Sequence, residues 1–205
     1  MTLYLVAVLI MGTPPEFDAP ASEVVAYLED ERTRIQVGAA IHAAWAPLFV
    51  WFVATVASVA RNAGPPARRA ATVAFGCGLV FLGLFLADVT ALAVAALRPA
   101  TLGATPELAT ALHDFSWLAM GMAAFLVSAT LVSFAVLAIR DAAVWPRWVG
   151  MLALSAAVAY ALRVGTLFTT EGAFAADGVL GLWVPVVAVA AWIAIASVVL
   201  TLRIR

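Results

Sequence analysis

Asp88, Arg163 and His42 are ionisable residues set within long apolar stretches. A charge at the centre of a hydrocarbon core costs roughly 2.5–3.5 kcal/mol on insertion scales, so such residues persist where they pair, line a wet cavity or do chemistry. The chemistry open to this set is recognition of charge. A guanidinium can hold an anion or carboxylate, and an acid can change protonation as its partner comes and goes. Asp88 has Phe81, Leu84, Phe85, Ala91 and Leu92 at neighbouring helical positions. Its short side chain cannot reach the headgroups, so it is expected to be protonated or paired across helices.

Arg163 has different surroundings. Ser155, Ala159, Tyr160, Thr166 and Thr170 fall with it on a polar stripe, while Ala153, Ala157, Ala161 and Gly165 repeat every fourth residue on another face. A helix with one face for close packing and one for polar groups belongs inside a bundle. Snorkelling is the competing course, because Arg163 lies only about 8 Å below its helix end at 1.5 Å per residue. The same rise puts Asp88 about 29 Å from Arg69, Arg163 about 24 Å from Arg147 and His42 about 29 Å from Arg61. Asp88, Arg163 and His42 are therefore expected in one layer with Tyr160 close by, as a ligand site or as a structural Asp88–Arg163 clasp.

His113 and Asp114 open another apolar run, and His113 counts about 40 Å from Arg140, beyond a core of about 30 Å. Both are expected at a wet outer mouth. His42 and His113 are the two histidines of the chain, and bis-histidine haem b between membrane helices is an alternative. Their depths differ by about 11 Å, which opposes a shared iron. The same objection meets a metal site of His42, His113 and Asp114, so no cofactor or metal is expected.

Other residues read as structural. Cys77 is alone, which excludes an internal disulfide and multi-cysteine metal binding. Ser128, Thr130 and Ser133 are expected to bond back to their own helix. The GVLG at 178–181 reads as a helix start. No phosphate-binding loop and no nucleophile–base pair is evident, so no residue set argues for an enzyme.

These residues need helices to carry them. The 205 residues are 65% hydrophobic and 11% charged, against about 45–50% and 25% in soluble domains. A net charge of −1 without a basic tract argues against nucleic acid. Runs over 35–60, 70–97, 107–139, 148–168 and 178–202 are long enough to span a bilayer, which takes about 20 residues each. Residues 2–12 reach about half that length, as a short sixth helix or a signal-type segment. Pro47 and Pro185 fall inside spans and are expected to kink them. Residues 22–33 carry Val24, Val25 and Leu28 at helical spacing, with Ser22 as a cap, and predict an amphipathic helix over the outer mouth.

The fold class is thus an all-α polytopic bundle in one domain, 1–205, with five full spans and a short first helix. Arg61, Arg68, Arg69, Arg140, Arg147, Arg203 and Arg205 fall on one side, with Arg32, Arg34 and Arg98 and most acids on the other. The positive-inside tendency puts the first set in the cytoplasm, with the C-terminus inside and the N-terminus too if the first helix spans. Trp145 and Trp148 are expected in an inner aromatic belt and Trp183 in an outer one. Eleven basic residues are all Arg, a bias suggesting a GC-rich bacterial genome and a plasma (inner) membrane location.

The segments PASEVVAYLEDERTRIQVGAAI, ALHDFSW and PRWVGMLALSAAV resemble an uncharacterised bacterial six-helix membrane family, a domain-of-unknown-function group common in actinobacteria. The resemblance implies a full-length first helix and no activity. Two functions are expected: small-ligand or ion binding and transport at the polar layer, or an accessory subunit docking a protein partner or second copy through small-residue faces. Lipid is the expected surrounding in both.

Overall fold

The computed structural model describes residues 2–12, 14–60, 64–97, 105–140 and 145–204. Arg61, Arg98 and Arg205, used in the loop-charge count, lie outside the described residues. Backbone groups in an apolar medium must satisfy one another, and a continuous apolar run achieves this as helix. Among the described residues the chain is helical with no strand. Helix α1 is Thr2–Met11, α2 Ala21–Asp30, α3 Arg32–Val59 and α4 Pro65–Leu97. Then come α5 Pro106–Met122, α6 Ala124–Arg140, α7 Arg147–Ala161 and α8 Val184–Ile204. Five helical stretches are long and apolar enough to cross a membrane: Arg32–Ser58, Pro65–Leu97, Pro106–Arg140, Arg147–Leu167 and Gly172–Leu202. The chain is a multipass membrane helix bundle.

The tightest seam joins α6 to α7. A Cβ on Gly150 would lie 2.8 Å from the Ala138 Cβ and 3.1 Å from the Ala135 carbonyl oxygen. Ala153 and Ala157 are buried on the same seam, and the Ser128 hydroxyl reaches the Ala157 carbonyl at 2.9 Å. Part of the small-residue stripe of α7 is therefore satisfied within the chain. Ser128, Thr130 and Ser133 also bond back to the Ala124, Leu126 and Ala129 carbonyls. Beside this seam Phe134 stacks on Trp192 at 5.2 Å, with Trp145 edge-on to both rings. Trp145 is fully buried and donates to the Ala196 carbonyl, so it belongs to the core rather than to an aromatic belt. An indole seeks both apolar contact and one acceptor, and the helix–helix junction supplies both. Trp148 and Trp183 are exposed.

At the other end α1 lies against α3. Gly38 admits it, since a Cβ there would fall 2.7 Å from the Met11 Sδ and 3.3 Å from the Ala7 carbonyl oxygen. The connector then turns into α2, whose Val24 and Leu28 bury against Ile35, Leu92, Ala95, Ala96 and Ala109. The cap differs from expectation. Pro20 precedes the helix, which opens at Ala21, so Ser22 sits inside the first turn and caps nothing.

Three spans depart from regular α-helix. The run 107–139 is interrupted at Ala123, between α5 and α6. Two residues earlier, a Cβ on Gly121 would meet the Thr166 Oγ1 at 2.7 Å. The run 148–168 changes from α-helix to a 3₁₀ segment at Leu162–Leu167. Three residues per turn then align Tyr160, Arg163 and Thr166, and the longer polar stripe breaks up. Ser155 and Thr170 at its ends are exposed. The last span starts with a π-turn, Val179–Trp183, which brings Pro185 into α8 where its missing N–H disrupts least. The GVLG glycines are needed for contact rather than only for a helix start: a Cβ on Gly178 would lie 2.6 Å from the Gly172 carbonyl oxygen, and one on Gly181 would collide with the Ala175 carbonyl. Pro47 lies within the continuous α3.

Gly150→Leu overfills the α6–α7 seam and is expected to lower stability in detergent by about 1–3 kcal/mol. Gly76→Leu, where a Cβ meets open space, is expected to be neutral or to gain up to about 1 kcal/mol from helix propensity. Denaturant titration of both variants by circular dichroism checks this, and equal losses would contradict the seam.

Candidate functional site

The helices leave a cavity of about 180 Å³ at the connector end, room for a small organic group. Tyr4 and Met11 of α1, His42 of α3, Phe85 and Asp88 of α4, Ser116 and Trp117 of α5, Tyr160 of α7, Arg163 of the 3₁₀ segment and Trp183 all line it. Asp88, Arg163, His42 and Tyr160 thus face one space from four separate elements.

Arg163 is 4% exposed and makes no ion pair or hydrogen bond among the described residues, its Nε being buried without a partner. Its nearest compensation is the Tyr160 ring, whose centroid lies 6.0 Å from Cζ, within reach of a cation–π attraction. The side chain is turned into the bundle, and snorkelling is not the conformation adopted. The direct clasp expected between Asp88 and Arg163 is also not formed, because the ion pairs among the described residues are Arg34–Glu31 and His113–Asp114. The Ser116 hydroxyl donates to Asp88 Oδ1 instead. Asp88 and Arg163 line the same cavity without a direct ion pair.

His42 is buried with both ring nitrogens unpartnered. It meets the Phe85 ring edge-on at 4.9 Å and the Tyr4 ring at 5.5 Å. An imidazole nitrogen left without a partner in an apolar wall carries a desolvation cost of about 1–3 kcal/mol. Two unsatisfied groups, one cationic, therefore border the same cavity.

His113 departs from the wet helix end expected for it. It is 1% exposed, with Nε2 3.1 Å from the Pro15 carbonyl oxygen and Nδ1 3.3 Å from Asp114 Oδ1. The Trp117 indole donates to the same Pro15 carbonyl at 3.2 Å. The connector folds back onto α5 and dries this histidine, a long-range contact that depth counting along one helix could not reveal. Asp114 keeps partial exposure beside it. Nε2 holds the connector and Nδ1 lies against Asp114, so the paired-histidine haem arrangement would first have to break one of these contacts. Among the described residues no group of three His, Cys, Asp or Glu is placed to share a metal ion.

Tyr4, Ser116 and Trp117 were not singled out by sequence reasoning. Tyr4 lies in the short first run, and only the docking of α1 on α3 brings it to the cavity. Ser116 falls three residues after His113 on α5, and its relation to Asp88 needs the α4–α5 packing. No family model matches the chain, and neither does any curated protein or solved structure.

Tyr27 completes the mouth. Its ring lines the cavity, and its hydroxyl donates to the Met11 carbonyl at 3.3 Å. Burial, with a contribution from the Glu31 charge, pushes this phenol from 10.0 up to about 12. A phenolate cannot donate, so the contact contributes fully below pH 10 and is lost as pH rises toward 12. The phenolate absorbance that disappears in Tyr27→Phe is expected to titrate near 12 rather than 10. A midpoint at 10 in that difference titration would show the mouth open to solvent.

Proposed function

We propose that this chain is a bacterial inner-membrane protein that binds and moves a small monoanion, a carboxylate by preference, through the cavity at the connector end. The observation that carries this reading is Arg163, buried and unpartnered at the wall of a space that admits a ligand. A guanidinium offers a fork of N–H donors matched to a carboxylate, and an occupant of that kind offsets the cost of burying the charge. One guanidinium facing one carboxylate suits a ligand of single negative charge. His42, Tyr4 and Tyr160 border the space as further polar partners.

Asp88 supplies the coupling in this scheme. Two carboxylates in one dry cavity cannot both remain ionised without large repulsion, so ligand entry carries a proton to Asp88. Ser116 fixes the Asp88 side chain in position for that exchange. The arginine distribution supports an outward-facing cavity and a cytoplasmic C-terminus, and the all-Arg composition supports a bacterial plasma membrane. The accessory-subunit reading loses two of its supports, since the expected clasp is absent and part of the α7 small-residue stripe is spent on α6.

Butanoate titrated into the purified protein, followed by calorimetry, is expected to show saturable binding that Arg163→Gln abolishes and Arg163→Lys weakens. Affinity is expected to rise as pH falls from 8 to 6, by up to about tenfold per unit for one linked proton, and to lose that dependence in Asp88→Asn. Absence of saturable binding to folded protein, or equal binding by Arg163→Gln, would sink the reading.

A further inference from the structure

A second cavity of about 60 Å³ adjoins the first. The two share Tyr4, Phe81, Tyr160 and Val186 in their walls. The second is lined almost wholly by apolar side chains, among them Phe49, Phe52, Phe134 and Trp192. Its one hydroxyl outside the shared wall, on Thr130, is already bonded to the Leu126 carbonyl. The cavity is lined from α1, α3, α4, α6, α7 and α8, and α3 and α8 form no extensive seam with each other. Phe49, Phe52, Val189 and Ile193 at its border are only half-buried. They belong to the middle of spans, where the surrounding medium is the hydrocarbon of the bilayer.

A polar cavity with one unpartnered cation thus continues into a narrow apolar one with a lateral opening. We infer that the ligand is a single-chain amphiphile, a long-chain carboxylate of the fatty-acid class, seated with its carboxylate at Arg163 and its aliphatic chain between α3 and α8. This rests on the reading of Arg163 given above and names the ligand class. The narrowness of the second cavity selects one chain, and one guanidinium beside an acid selects a monoanionic head. A diacyl phospholipid brings two chains and fails the first of these, even where its head is a monoanion. Entry is from the bilayer, so the chain stays in an apolar medium along the whole path.

The test compares butanoate with dodecanoate on the full chain in phosphatidylcholine nanodiscs, with protein-free nanodiscs as the partition baseline. Referred to the concentration of free acid in water, dodecanoate is expected to bind more tightly, by about threefold to fourfold for each methylene that the protein buries. Ala190→Phe, which fills the apolar cavity at a position remote from Arg163, is expected to weaken dodecanoate about tenfold or more, the worth of two methylenes. It should leave butanoate unchanged. As a second readout free of core substitution, a chain-brominated dodecanoate is expected to quench tryptophan fluorescence through Trp45 and Trp192, and Arg163→Gln is expected to remove the quenching. Equal affinity for both acids with no effect of Ala190→Phe overturns the single-chain inference while leaving carboxylate binding at Arg163 in place. Displacement of dodecanoate by phosphatidylglycerol at equal concentration overturns it in favour of a phospholipid site. Failure of both acids to bind overturns the inference together with the reading beneath it.

Discussion

A guanidinium enclosed by the bundle, sharing a cavity with a carboxyl it does not directly pair with, is the constraint on which the rest of this structure turns. Arg163 cannot shed its proton, since arginine stays charged at any accessible pH. It cannot reach the headgroups from the inward conformation it adopts. What remains is the face of Tyr160, the Asp88 carboxyl on the same cavity wall, and whatever occupies the cavity. An aromatic face contributes about 0.5–2 kcal/mol, less than the several kcal/mol that an isolated buried ion costs after relaxation.

The bundle divides into a rigid part and an open part. Around α6, α7 and the start of Trp192's helix, small residues let backbones approach and aromatic rings lock the junction. Dispersion and close packing hold helices together in lipid, where water exerts no hydrophobic drive between them. On the opposite side α3 and α8 form no extensive seam, and the cavity wall there includes half-buried aromatic and branched side chains. A firm seam behind Arg163 and a gap in front of it have one consequence. The residue's position is set by well-packed backbone, while access to it is left to the looser face.

The connector decides how the other end closes. Pro15 receives hydrogen bonds from α5, Tyr27 donates to the last turn of α1, and Val24 and Leu28 seat α2 on the ends of α4 and α5. Polar contacts at the rim and apolar contacts beneath α2 act together. His113, read from the sequence as part of a wet mouth, instead pins this strap together with Trp117, while Asp114 keeps partial exposure. The strap borders the polar cavity, and α3 and α8 contribute to the wall of the apolar one.

The five spans, the short first helix, the amphipathic α2 and the back-bonded Ser128, Thr130 and Ser133 were legible in the sequence. Each follows from local hydropathy, helical period or hydroxyl chemistry, which act within one element. That Asp88, Arg163, His42 and Tyr160 share a depth was also legible, because a helix rises by a constant amount per residue. Depth is one coordinate, and rotation about each helix is another. Whether Asp88 faces Arg163 or Ser116, and whether Trp145 faces lipid or Trp192, depends on rotations that only packing sets. The 3₁₀ winding at Leu162–Leu167 and the break at Ala123 arise where two elements press together, with nothing in either run alone to mark them. The residues able to carry charge were determined by the sequence; their meeting at one cavity without a direct ion pair was decided by how the described helices fit around one another.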